Sequence, residues 1–292
     1  MILCVAANPS IDRLFAVDRV APGAIHRPSE FVQVAGGKGL NVARAAAALG
    51  GDVRAAALLG GHAGRWIAEQ LASEGVELHA AWAGAETRSS LSVAGAREGL
   101  TEFYEHGFPV SADEWAAFAA MVGGLAAESS WMTLSGSLPP GAPGDGYVGL
   151  IPRARTALDS RADGIDAGPA VVKLNEAEAG AGAEGALPAA RTLHERSGGA
   201  AIVTRGREGA VLVTPDGAAM AGRLDADGAY PVGSGDAFLA GLVVALDGGA
   251  DWPDALRAGL GAGAANAAIP GAGRLERASA ERLAEQACIR RE

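Results

Sequence analysis

Lysine is almost missing from this chain. Of its 24 basic residues only Lys38 and Lys173 are lysines, and both stand in motif-like stretches, "GGKGLN" and "KLNEAE". On a solvated face lysine and arginine exchange freely, but a compact ammonium and a planar guanidinium are not equivalent at a phosphate. The two survivors therefore hint at phosphate chemistry. Cysteine is as scarce, with 2 in 292 residues. Cys4 lies in the apolar run "MILCVAA" and Cys288 near the C-terminus, neither in metal-like company, which argues against a disulfide framework or a thiolate metal site. No apolar run reaches the roughly 18 residues of a membrane span, and no basic segment leads into an apolar one as in an export signal. The expected location is cytoplasmic. Positive charge is also short: the net charge is −10 and the pI near 5.0, which argues against a broad nucleic-acid or anionic-membrane surface. A bound phosphate must be held by a local site.

What is present is a globular chain, 49% apolar and 20% charged, long enough to bury a large core. "MILCVAA" reads as a buried strand. Short strands follow around "RLFAV" and "EFVQV", then the alanine-rich helix "KGLNVARAAAALG", closed by glycine. Strand and helix alternate through "DVRAAALL", "RWIAEQLASEG" and "VELHAA", and again through "ADEWAAFAAMVGGLAAE", "SWMTLSG", "AVVKLN", "AAIVTRG" and "GAVLVT". That alternation predicts a parallel sheet flanked by helices. Two alternating β segments around "GAREG" break it as a hairpin. Helices are expected over 234–246, 252–268 and 279–287. The chain reads as one α/β domain over 1–292, with a β lid formed by segments about 13–34 and 88–106.

Several stretches carry possible chemistry. "PVGSGDAFLAGLVVAL" (231–246) sets Gly233, Ser234 and Gly235 before a helix, where free backbone N–H groups and the helix dipole favour an anion. Asp236 beside that anion site is explained if it takes a proton from something lying there. "NPSID" ends with Asp12 at the close of the first strand, either a simple turn or a ligand contact at the sheet edge. "AGGKGLN" offers close backbone approach at Gly36 and Gly37, a cation at Lys38 and an amide at Asn41; alone it could be a tight turn. "SGSLPPG" ends a strand with Ser135, and "KLNEAE" sets Asn175 and Glu178 on one face of a turn, a surface helix or oxygen ligands for magnesium. Each of these follows a predicted strand, so they converge on one sheet edge. No Walker pattern is present, since glycine follows Lys38, and no G-x-G-x-x-G follows the first strand, which counts against a nicotinamide enzyme.

In order and over almost its whole length, the sequence resembles the ribokinase-like (PfkB) carbohydrate kinases. "GGKGLNVA" resembles their N-terminal signature and "PVGSGDAFLAG" their C-terminal one, with "SGSLPPG", "KLNEAE" and "TRGREGA" between. "NPSID", "TR" at 87–88 and "SGSLPPG" look most like the branch that phosphorylates sugar phosphates, 1-phosphofructokinase and tagatose-6-phosphate kinase included. The resemblance implies a three-layer α/β/α sandwich with a mainly parallel sheet and a small β lid. It also implies ATP as phosphoryl donor, Mg2+, a phosphosugar substrate and a homodimer paired through the lid. By position it makes Asp236 the catalytic base and Gly233, Ser234 and Gly235 the anion hole. Asp12, Gly37 and Asn41 become sugar contacts; Lys38, Arg88 and more weakly Arg27 hold the substrate's phosphate, with Ser135 near the reacting groups. Lys173, Thr204, Gly206, Gly209 and Asn266 fall on the nucleotide side, Asn266 near the purine, and Asn175 and Glu178 on the magnesium side.

Departures are few: Leu174 stands where many members have proline, Pro231 where many have threonine, and 144–172 is shorter than expected. The favoured activity is phosphorylation of fructose 1-phosphate, followed by tagatose 6-phosphate or fructose 6-phosphate, then an unphosphorylated sugar or nucleoside. An inactive sugar- or nucleotide-binding regulator is the reading outside enzymes.

Overall fold

The first strand, β1 (Ile2–Ala6), shows why the sheet forms. Its five residues are all buried; Ile2, Cys4 and Ala6 enter one core layer, and Leu3 and Val5 the other. A strand covered on both faces reads as a continuous apolar run, because its side chains alternate while both sides are dry.

The computed structural model describes residues 1–95, 99–160, 164–226 and 228–292. After β1 come β2 (Ser10–Val17), β3 (Glu30–Gly36), α1 (Lys38–Ala48), β4 (Val53–Gly60), α2 (Gly61–Ser73) and β5 (Glu77–Ala83). Then follow β6 (Arg88–Gly95), β7 (Gly99–Tyr104), α3 (Ala112–Ala126), β8 (Trp131–Ser135), β9 (Arg155–Asp159) and β10 (Val171–Asn175). The chain closes with α4 (Ala186–Ser197), β11 (Ala200–Thr204), β12 (Ala210–Val213), β13 (Ala219–Arg223), α5 (Ser234–Asp247), α6 (Trp252–Ala267), α7 (Arg277–Gln286) and β14 (Cys288–Arg291).

Ten strands make one sheet in the order β14-β13-β12-β11-β10-β9-β8-β1-β4-β5. It is parallel from β11 to β5 and antiparallel among β11–β14. Leu40 of α1, Ile67 of α2, Leu239 of α5, Leu256 of α6 and Ala280 of α7 bury against one face, and Phe118 of α3 and Leu193 of α4 against the other. The expected three-layer sandwich is thus present. Deleting one of these fully buried leucines to alanine costs about 2–5 kcal/mol.

Local signals agree with the elements. Ser111 and Glu114 form a reciprocal capping box at α3, and Asp251 caps α6. β9 and α4 complete the pattern where the sequence reading is weakest: β9 lies within the short 144–172 region, and α4 has a polar mean composition despite its left-handed Gly198 cap.

β2, β3, β6 and β7 form a separate, smaller sheet in the order β3-β2-β6-β7. The residues at the hairpin tip, 96–98 of "GAREG", lie outside the described residues; β6 and β7 pair antiparallel up to Gly95 and Gly99. One expectation is corrected here. Asp12 does not close the first strand: β1 ends at Ala6, and Asp12 sits within β2, paired with Val34 and Ser90. The "NPS" turn folds the chain out of the main sheet, so the aspartate belongs to the lid.

Candidate active site

The chain runs outward from β1 to β4 and β5, then returns on the other side of β1 with β8. Such a reversal leaves a crevice at the carboxyl ends of the strands, where open α/β sheets bind ligands. Asp159 ends β9 and Asn175 ends β10; Lys38 begins α1 and Ser234 begins α5.

Both of those helices start at a glycine with positive φ, Gly37 (92°) and Gly233 (84°), and neither has a side-chain cap. Their first-turn N–H groups are consequently not spent on a capping side chain. At Gly233 the glycine is demanded twice, since a Cβ would also lie 2.7 Å from Ala272 Cα. At Gly36 a Cβ would overlap the Asp12 carboxylate, so a bare backbone is needed for the lid aspartate to approach the turn.

Asp236, on the first turn of α5, is 6% exposed. Asn41 Nδ2 donates to its Oδ2 at 2.8 Å. Burial pushes its pKa up, the nearby Asp159 charge adds to this, and Lys173, Lys38 and the Asn41 bond oppose it, leaving it at about 7. A base whose pKa lies near the working pH is well matched to proton transfer.

Asp159, fully buried, was not singled out by any motif. Its Oδ1 accepts from Lys38 Nζ at 3.0 Å and its Oδ2 from Lys173 Nζ at 2.8 Å. Burial alone would raise its pKa, but the two ammoniums overcome this and hold it below the ordinary carboxylate range. Lys38 Nζ also donates to Glu178 Oε1 at 2.8 Å. Burial would lower the Lys38 pKa; Asp159, Asp236 and Glu178 outweigh it and raise it.

Lys38, expected beside the substrate's own phosphate, is engaged by two carboxylates, Asp159 at the end of β9 and Glu178 in the turn after β10. Arg88 differs. Its donors go to Asn8 Oδ1 and O, Ser90 Oγ and the Glu105 carbonyl, all neutral acceptors. Among the described residues no carboxylate is within ion-pair distance of it. Burial lowers its pKa, against the pull of Asp12 nearby. Asp12 itself is raised, mainly by burial, against bonds from Ser10 Oγ (2.5 Å) and Gly37 N (3.2 Å).

Other expected residues take definite places. Asn175 and Glu178 cap each other: Asn175 N donates to Glu178 Oε2 at 3.0 Å and Glu178 N to Asn175 Oδ1 at 2.8 Å. Ser135 Oγ and Ser234 Oγ are buried without a hydrogen-bond partner among the described residues. Thr204 ends β11, and Gly206 and Gly209 bracket the short turn that follows it. Arg27 is exposed in the connection between β2 and β3. Asn266, expected near the purine, is fully buried, its Nδ2 donating to Val232 O (3.0 Å) and its Oδ1 accepting from Gly273 N (2.7 Å). Its amide links Val232, just before the glycine turn, to Gly273.

Among the described residues no group of three or more His, Cys, Asp or Glu could hold a metal on its own. The oxygen donors of Asn175 and Glu178 do suit magnesium, which is usually shared between one or two carboxylates and substrate phosphates.

A buried carboxylate beside an uncapped helix N-terminus, at the switch point of a parallel sheet next to a smaller second sheet, suits phosphoryl transfer to a small hydroxylated substrate. The family comparison agrees: residues 2–277 match the pfkB family of carbohydrate kinases, and the chain belongs to that family, with its ribokinase-like fold. It is 34% identical to 1-phosphofructokinase of Haloferax volcanii over 277 residues, 89% of this chain and 88% of the relative. It is 32% identical to a tagatose-6-phosphate kinase of Staphylococcus epidermidis over 187 residues, 60% of each. Phosphofructokinase-2 of Escherichia coli, solved in complex with fructose-6-phosphate, superposes with a TM-score of 0.84 at 25% identity, covering 97% of this chain and 98% of that one. The protein is a sugar kinase, and ATP is the phosphoryl donor its family implies.

Proposed function

We propose that this kinase phosphorylates a ketohexose phosphate, with fructose 1-phosphate as the physiological acceptor and fructose 1,6-bisphosphate as product. The observation that carries a phosphorylated acceptor is Arg88, a half-buried guanidinium held only by neutral oxygens beside the lid aspartate Asp12. A cation in that state gains two charge-assisted bonds from a phosphate. A neutral sugar would give it nothing comparable.

Asp236 Oδ1 takes the proton of the acceptor hydroxyl as that oxygen bonds to the γ-phosphorus. The bond from the γ-phosphorus to the bridging oxygen breaks, ADP leaves, and the proton stays on Asp236. The backbone N–H groups of Gly233 and Gly235 face the charge on the transferring group, while that of Ser234 donates to Pro231 O. Asp12, Gly37 and Ser135 bind the sugar, and Asn41 holds Asp236. Lys38 and Lys173, aligned by Asp159, face the phosphates on the nucleotide side, where Thr204, Gly206 and Gly209 lie. Asn175 and Glu178 would hold magnesium, which would supply positive charge against the phosphates.

Substitution of the base tests the chemistry: Asp236→Asn is expected to keep ATP affinity while kcat falls by roughly 10² to 10⁴. Substrate is tested by kcat/KM for fructose 1-phosphate, fructose 6-phosphate, tagatose 6-phosphate and fructose. Fructose 1-phosphate is expected to lead; a lead for tagatose 6-phosphate would assign the chain to the other kinase of the branch.

The lid supports a homodimer. By register, Phe31, Phe15, Leu91, Val93 and Phe103 share one face of the small sheet. Phe31 and Phe103 are 59% and 58% exposed, an apolar patch of the kind that marks an interface.

A further inference from the structure

Arg44 belongs to none of the stretches that suggested chemistry, yet it is 5% exposed and its guanidinium reaches four partners. Nε donates to Glu74 Oε2 at 2.6 Å, Nη1 to Asn41 Oδ1 at 3.3 Å and to Ala272 O at 3.0 Å, and Nη2 to Ala35 O at 2.5 Å. A guanidinium can only donate. Asn41 must therefore turn its carbonyl oxygen toward Arg44, and that leaves its Nδ2 as the group facing Asp236. With Asn41 only 4% exposed, no bulk water competes for either end of the amide. An unconstrained amide could present either end to the carboxylate; here its orientation follows from chemistry.

We propose that Arg44 is a positioning residue for phosphoryl transfer, acting through Asn41 to hold Asp236 Oδ2 and leave Oδ1 for the proton of the acceptor hydroxyl.

A second line of contact reaches the same helix start. Arg44 binds Ala272 O, and Ala272 packs beneath Gly233. The next residue, Gly273, donates to Asn266, which in turn donates to Val232 O. The end of β3, the first turn of α1 and the loop before α5 are thus tied to one buried cation. Glu74, from the end of α2, completes its charge balance.

The inference rests on Asp236 being the base, and the test separates the two. The pH profiles of kcat and of kcat/KM are recorded for Arg44→Lys, Arg44→Met, Asn41→Leu and the double variant Asn41→Leu/Arg44→Lys, with thermal melting alongside. The bond from Asn41 lowers the proton affinity of Asp236. Losing it is expected to move the acid limb of kcat to higher pH and to reduce kcat at neutral pH roughly tenfold, the size of one hydrogen bond to a charged group, with the KM for ATP unchanged. Because Arg44 acts through Asn41, Arg44→Lys is expected to add almost nothing in the Asn41→Leu background.

Should the Arg44 variants fail to fold, Glu74→Gln loosens the guanidinium from its far side and is expected to shift the acid limb the same way. An unmoved acid limb in the folded variants, or the full effect of Arg44→Lys added to that of Asn41→Leu, overturns the proposal and leaves Arg44 a structural residue. Turnover retained in Asp236→Asn would instead remove the base itself, whatever the Arg44 variants do.

Discussion

Lys38 and Lys173 grip opposite oxygens of one buried carboxylate, that of Asp159, at 3.0 and 2.8 Å. The two lysines of an otherwise arginine-based chain are thereby held side by side at the carboxyl end of β9, and Lys38 reaches on to Glu178. Their shared partner also raises the proton affinity of Asp236.

Asp159→Asn is the substitution that reads both effects. Lys173, 3% exposed, would lose its ion-pair partner, and breaking a buried pair from one side costs about 3–5 kcal/mol, so Tm is expected to fall. The sign on activity is opposite to that for Arg44. Removing the Asp159 charge lowers the Asp236 pKa from about 7, so the acid limb of kcat moves to lower pH. A stationary limb in a folded variant would mean that Asp159 does not communicate with the base.

Arg88→Ala separates a phosphosugar from a neutral sugar. Loss of a charge-assisted partner typically costs a few kcal/mol, so kcat/KM for fructose 1-phosphate is expected to drop on the order of 10². ATP binding without sugar, and weak turnover of unphosphorylated fructose, should change little. Equal losses on both sugars would place Arg88 in the service of the γ-phosphate or of the lid.

Glu178→Gln keeps the shape of the turn while removing a charge that Lys38 and magnesium would share. Titration of activity with magnesium is expected to show a higher half-saturating concentration and a lower maximum. An unchanged magnesium curve would detach Glu178 from the metal.

Phe103→Glu, on the open face of the lid, puts a charge where a second lid would pack. Sedimentation at micromolar concentration is expected to show a dimer for the parent chain and a shift toward monomer for the variant. A parent chain that is monomeric and fully active would end the dimer reading.

The contiguous parts of the site were legible because local backbone chemistry produces them. A glycine pair followed by an acidic residue and an apolar run predicts an uncapped helix start whichever fold surrounds it, and 233–236 behave as that rule requires. "KLNEAE" likewise forms its own turn, since Asn175 and Glu178 satisfy each other's backbone N–H groups three residues apart. The lid strands were visible as short alternating segments, and the parallel sheet as alternation of strand and helix.

What only the tertiary structure decided are the pairings between distant segments. Lys38 and Asp159 are 121 residues apart, and Asn41 and Asp236 are 195 apart; no local pattern says which carboxylate will neutralise which cation. The "NPS" turn gave no sign that it leaves the main sheet, so Asp12 moved from strand end to lid. Arg44 looked like one more helical arginine, and Asn266 like one more polar residue in a small-residue helix. Their contacts come from burial, which forces each polar atom to find a partner inside the protein and so lets packing, rather than local sequence, choose the residues that surround Asp236.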